Sequence, residues 1–257
     1  MLIFALISFA KLYLAMLALI FISGSEEQLI QILSIIAMIC MFFDKIVNLK
    51  YFYMKKSNCI EFYFDCSSPW TYLAFAEILP LSQRQNVEII WKPILVGGVF
   101  NSVNKDVYQF RENPNALKLD YSGNDLNLWA KHREINISKP KIFPVNSVKA
   151  MRGCLFAIQH NCLPLFAQKV FEAYWGRGLD ISDESIITKI AEEVDLCPQD
   201  FKHYIYSQEA KDLLMSNSSQ LIEKKGFGSP TFFYHDHMFF GNDRLHLLEE
   251  VIRKELI

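Results

Sequence analysis

The sequence predicts an α/β fold in which two well-separated stretches of chain build one sheet and a block of helices lies between them. Three observations carry that expectation. Around position 60, Ile60-Glu61-Phe62-Tyr63-Phe64-Asp65 places Phe62 and Phe64 at the two-residue period of a strand, and Ser68-Pro69 follows at once as a helix start. Near the other end, Gly226-Phe227-Gly228-Ser229-Pro230 runs into the β-prone Thr231-Phe232-Phe233-Tyr234. Between 94 and 216 the apolar residues recur at helical spacing.

The first 53 residues stand apart from that plan. The chain has 257 residues and is 51% hydrophobic, above the usual range, and its first 50 residues supply much of the excess. Residues 1–22 are apolar except for Lys11, and 31–43 form a second apolar stretch, shorter than the roughly 20 residues a comfortable transmembrane helix needs. Ser23-Gly24-Ser25-Glu26-Glu27 separates them, and Lys45, Lys50, Lys55 and Lys56 follow. Three readings stay open. Residues 1–43 form a membrane hairpin that leaves the rest of the chain on the cytoplasmic side. Alternatively, translation begins at Met54. A secretory signal is the weakest of the three, because no positive segment opens the chain and no small-residue cleavage site precedes Glu26.

From Cys59 the elements follow in order: a strand over 59–65, a helix over 69–84 and a strand over 87–91. Ser68 is a good N-cap, and Pro69 suits the first helical position, where its missing N–H costs nothing. The Ser68 hydroxyl therefore sits at the positive end of a helix, a place that favours an anion, although a plain cap has the same appearance. Leu126, Trp129 and Ala130 share one face of a later helix, and 148–160 is another apolar-periodic run. Residues 165–175 form a helix ending at Gly176, and Ser182-Asp183-Glu184 starts the next with acids in its first turn. Pro230 stands at the first residue of its strand, where a cis bond would expose the preceding backbone to a ligand. A tight turn through His235-Asp236-His237 leads to the strand Met238-Phe239-Phe240. Gly241-Asn242-Asp243-Arg244 then opens a helix with Leu245, Leu248 and Ile252 on one face.

Strand–turn–helix at one end and X-Pro–strand–hairpin–helix at the other is the split signature of a thioredoxin-like fold. Six stretches sharpen it: Phe62-Tyr63-Phe64-Asp65 with Ser68-Pro69, Trp91-Lys92-Pro93 with Gly97-Gly98-Val99-Phe100, and Phe143-Pro144-Val145-Asn146-Ser147. Val170-Phe171-Glu172-Ala173-Tyr174-Trp175-Gly176, Phe227-Gly228-Ser229-Pro230-Thr231 and Gly241-Asn242-Asp243-Arg244-Leu245 complete the set. In this order, over residues 58–255, the chain resembles the 2-hydroxychromene-2-carboxylate isomerases and their relatives, the kappa-class glutathione transferases, within the DsbA-like group. The resemblance implies a thioredoxin-like domain from 58–93 and 217–257, with 94–216 as an inserted helical domain.

The resemblance also implies a glutathione-dependent enzyme. Ser68 matches the family's catalytic serine, which donates a hydrogen bond to the glutathione sulfur and favours the thiolate. A lowered pKa is how a thiol becomes a nucleophile at neutral pH. Pro69 and Trp70 beside it, Ser229 through its backbone, and Asn104 match glutathione-side positions. Asn242 and Asp243 match those holding the γ-glutamyl end, and Asn146 matches a substrate-side position. One departure is visible: the family's isomerases carry a lysine near the positions of Phe100 and Asn101. The implied activity is cis-trans isomerisation of an aromatic-catabolism intermediate through a transient glutathione adduct. A kappa-like glutathione transferase, or a non-enzymatic membrane-tethered binding module of the same fold, remains the alternative. A homodimer is expected.

Charge and side-chain inventory exclude other classes. The net charge is −2 and no basic stripe follows the chain, which argues against a nucleic-acid partner. The six cysteines, Cys40, Cys59, Cys66, Cys154, Cys162 and Cys197, include no C-x-x-C pair. A disulfide oxidoreductase of this fold would have cysteines where Ser68 and Thr71 stand, so redox exchange is not expected. Cys66 reads as a packing residue at a strand end, and the setting as a reducing cytoplasm. No metal is expected: His235 and His237 flank Asp236 in a solvated turn, and His132, His160, His203 and His246 have no partner at ligand spacing.

Overall fold

The computed structural model describes residues 58–255. The apolar stretches at 1–22 and 31–43, and the three readings of them, lie outside the described residues. Among the described residues no helix is long and apolar enough to cross a membrane.

The sheet has four strands in the order β2-β1-β3-β4. Strand β1 (Cys59–Phe64) is central and pairs parallel with β2 (Glu88–Pro93) and antiparallel with β3 (Thr231–Tyr234). Strand β4 (His237–Phe240) closes a hairpin against β3. The expected thioredoxin-like α/β arrangement is therefore the one observed, with a mixed sheet. Strand β2 runs further than the expected 87–91 because Lys92 and Pro93 still pair with Tyr63 and Phe64. The β3–β4 turn is tighter than expected: only His235 and Asp236 lie outside the strands, with His235 at φ 53°, and His237 already pairs with Tyr234.

Side chains of β1 divide between two layers, as a two-residue period dictates. Ile60, Phe62 and Phe64 enter the main core, whereas Tyr63 joins Phe233, Ile94, Val99 and Leu221 on the other face. Phe62 faces Phe232 across the β1–β3 register, with ring centroids 4.6 Å apart, and Trp91 across β1–β2 at 5.8 Å. Such aromatic pairs add about 0.5–1.5 kcal/mol each beyond the area they bury.

Helix α1 (Pro69–Gln85) connects the parallel pair β1 and β2, and ends where Asn86 adopts a left-handed conformation at φ 51°. The helices that follow are α2 (Val96–Val103), α3 (Asp106–Glu112) and α4 (Ala116–His132). Only Ala130 is fully buried on α4; Leu126 and Trp129 are half-buried. Residues 133–147 are not helical, against the expectation for 94–216, and Pro140 and Pro144 there supply no backbone N–H to a helix. Helices α5 (Val148–Gln159) and α6 (Leu163–Phe171) form the centre of the block. Gly153 lets them approach: a Cβ there would lie 2.8 Å from both the Phe166 and Phe201 rings. The helix expected over 165–175 begins earlier and loosens into a π-helical turn at Glu172–Gly176. Helices α7 (Glu184–Glu192, capped by Asp183), α8 (Pro198–Tyr206) and α9 (Gln208–Glu223) complete the block. Helix α9 is tied to the end of β2, with Asn217 Nδ2 donating to the Pro93 carbonyl at 3.0 Å. After β4 a single 3-10 turn, Asn242–Arg244, precedes α10 (Leu245–Glu255), whose Leu245, Leu248 and Ile252 are buried.

Candidate active site

Ser68 occupies the N-cap of α1 with extended backbone at φ −105°, ψ 125°, and Pro69 takes the first helical position. Its Oγ accepts the Thr71 N–H at 3.2 Å and donates to the Ser229 carbonyl at 3.4 Å. The hydroxyl is partly exposed and lies at the positive end of a 17-residue helix.

The facing wall is the loop before β3. The Ser229–Pro230 peptide is cis. Ser229 Oγ is 2.8 Å from the Thr71 hydroxyl and accepts the Asp65 N–H at 3.0 Å. The serine side chain therefore fastens the loop to β1 and α1, while its carbonyl meets Ser68. The Pro230 carbonyl in turn accepts the Gly241 N–H at 3.1 Å, which ties the 242–244 turn to the same loop. That turn also packs against α1.

Beneath the site lies Asp65, fully buried at the end of β1. Oδ1 accepts the Ser67 N–H at 2.9 Å; Oδ2 accepts the Val96 N–H at 2.9 Å and the Ser147 hydroxyl at 3.1 Å. One carboxylate thus joins the turn before Ser68, the start of α2 and the start of α5. Burial pushes its pKa above the usual carboxylate range, and these donors pull it part of the way back. The next residue, Cys66, is also fully buried; burial and the neighbouring Cys154 push its thiol well above the ordinary value. That is a packing thiol, not a thiolate nucleophile. The Cys66 carbonyl accepts Trp175 Nε1–H at 3.0 Å, so the π-helical turn also holds the loop that carries Ser68.

A DSBA-like thioredoxin domain model matches residues 59–253. The chain is 31% identical over 202 residues to the 2-hydroxychromene-2-carboxylate isomerase of Pseudomonas putida, covering 75% of this chain and 93% of that protein. The chain belongs to the 2-hydroxychromene-2-carboxylate isomerase and kappa-class glutathione transferase family of DsbA-like thioredoxin domains. Human glutathione S-transferase kappa 1 is 27% identical over 212 residues, covering 75% of this chain and 90% of that protein. Among solved structures, a 2-hydroxychromene-2-carboxylate isomerase aligns with TM-score 0.67 and 29% identity over 77% of this chain and 96% of that one.

Of the positions that the isomerase–transferase family brings forward, Ser68, Pro69, Trp70 and Ser229 lie together around the start of α1. Asn104, at the C-terminus of α2, donates from Nδ2 to the Phe227 carbonyl at 3.1 Å and so grips the loop that leads to Ser229. Asn242 is buried, and its Nδ2 has no hydrogen-bond partner. Asp243 is half-exposed and lies 3.4 Å from the Arg244 guanidinium. Asn146 is exposed and its Oδ1 accepts the Val148 N–H at 3.1 Å, which makes it a local cap of α5; none of its hydrogen bonds reaches the Ser68 loop. Sequence reasoning passed over Asp65 and Trp175 as parts of the site. An acid directly after the aromatic run Phe62-Tyr63-Phe64 is the signal for the first; the second carries none beyond its family motif.

Proposed function

We propose that this protein is a glutathione-dependent isomerase of the 2-hydroxychromene-2-carboxylate isomerase type. The observation that carries the reading is the state of the Ser68 hydroxyl. Its oxygen is engaged by the Thr71 N–H, while its hydrogen is held only by a long 3.4 Å bond to the Ser229 carbonyl. A hydroxyl rotor so placed turns to a sulfur at little cost. Donation from Ser68, with the α1 N-terminus behind it, favours the glutathione thiolate over the thiol.

The Ser229 backbone would pair with the peptide part of glutathione, and Asp243 with its γ-glutamyl ammonium. The thiolate adds to a conjugated carbon–carbon double bond of a ring-opened aromatic substrate, leaving a rotatable single bond and a stabilised carbanion. Rotation followed by loss of the thiolate restores the double bond in the trans geometry and regenerates glutathione, so the reaction is balanced without an oxidant or reductant. The Gly241-Asn242-Asp243-Arg244-Leu245 stretch favours this branch; transferases tend to have serine at the position of Asn242.

The test is an ultraviolet assay of the full chain with glutathione, against a hydroxychromene carboxylate and a chloro-dinitro aromatic in parallel. Glutathione-dependent turnover of the first is expected. Conjugation of the second alone would make the protein a transferase, and no heat of binding with millimolar glutathione would make it a binding module.

A further inference from the structure

Among the helices after β2, a cation is set among aromatic faces. Arg111 lies in the last turn of α3, and its guanidinium carbon stands 5.5 Å from the Phe143 ring centroid, 5.8 Å from Phe100 and 6.0 Å from Tyr108. Three segments supply those rings: α2, α3 and the non-helical stretch before α5. The Tyr108 hydroxyl is fixed by a 2.8 Å hydrogen bond to Asn101 Oδ1, so that ring does not swing freely. Among the described residues no carboxylate forms an ion pair with Arg111.

The rings on either side lead to the two halves of the site. Phe100 lies 3.7 Å from where a Cβ on Gly228 would stand, one residue before Ser229. The Phe143 ring is 6.1 Å from that of Trp175, whose indole holds the Cys66 carbonyl two residues before Ser68. Phe143 and Phe240 keep much of their ring surface open to solvent. A guanidinium stacked on ring faces keeps its N–H edges for a planar anion, and it binds a carboxylate through two parallel hydrogen bonds.

We propose that Arg111 is the specificity-determining residue of this site and binds the carboxylate of an aromatic or aryl-conjugated acid, whose ring lies against Phe100 and Phe143. The catalytic use of this site rests on the glutathione reading above; the binding of the acid does not.

The experiment titrates the full chain, without glutathione, with 2-hydroxycinnamate and with its uncharged amide. The acid should bind roughly 10-fold or more tightly than the amide. Arg111→Gln should erase that preference, Arg111→Lys should keep part of it, and glutathione affinity should be unchanged in both. Equal binding of acid and amide by the parent protein, or a preference that survives Arg111→Gln, overturns the proposal. Absent glutathione binding with the acid preference intact would instead overturn the glutathione reading and leave this one standing.

Discussion

The Thr71 hydroxyl stands 2.8 Å from the Ser229 hydroxyl, although 158 positions separate them. In a redox member of this fold, position 71 would carry the second cysteine of the pair. Here it carries a buried hydroxyl that fastens the cis-proline loop to the first turn of α1, so a position available for redox chemistry serves positioning instead.

Thr71→Val keeps the shape and removes that bond, leaving the Ser229 hydroxyl buried without one partner. Stability should fall by about 1–3 kcal/mol in urea unfolding. Ser229→Ala added to it should cost less than the two changes summed, because the orphaned hydroxyl is then gone. Strict additivity in the double-mutant cycle would show that the two hydroxyls do not interact.

Ser68→Ala removes both the donor to sulfur and the acceptor for the Thr71 N–H. Turnover with glutathione should fall by about one to three orders of magnitude, the usual effect of deleting one donor to a developing anion. Loss of the cap should lower stability by about 1 kcal/mol. Unchanged turnover beside that stability loss would leave Ser68 a cap and nothing more.

Asp65 provides a pH signature with a definite sign. Its pKa is raised in the folded protein above the ordinary 3.8. Between those two values the folded chain retains a proton that the unfolded chain releases. The stability involved is therefore fully present below the ordinary value and is lost as pH rises through the raised one. Asp65→Asn has no such titration. The unfolding free energy of the parent minus that of the variant should fall as pH rises through this interval and then level off. A difference that grows with pH would contradict the assignment.

Asp243→Ala should weaken glutathione binding by roughly 2–3 kcal/mol if its carboxylate meets the γ-glutamyl ammonium. Gly241→Ala should act in the same direction without touching the carboxylate chemically. Gly241 adopts φ 105°, and a Cβ there would lie 2.5 Å from Asp243 Oδ1, so the side chain must move. Calorimetry on both variants separates the cases: equal affinity in Asp243→Ala and parent would mean that backbone groups hold that end alone.

The sequence by itself determined the first strand, expected over 59–65 and observed over Cys59–Phe64, the Ser68-Pro69 helix start and the buried face of Leu245, Leu248 and Ile252. Each of these is decided within a few residues, by a two-residue or 3.6-residue period, a capping hydroxyl or a fixed proline φ. The family resemblance also implied Ser68 and Ser229, from within the six motifs, and Asn104, just outside them, as glutathione-side positions. What only the tertiary structure decided are the partners. Asp65 looks like a polar strand end until Val96 and Ser147, 31 and 82 positions away, bring their donors to it. Arg111 carries no signal in the sequence, and only the fold brings Phe100 and Phe143 to it from other segments. Asn146 matches a substrate position by motif, yet its carbonyl oxygen is taken by the Val148 N–H. A local pattern fixes the backbone and which face is apolar. The partner that meets a polar side chain there depends on how distant segments cross, and no period in the chain records that crossing.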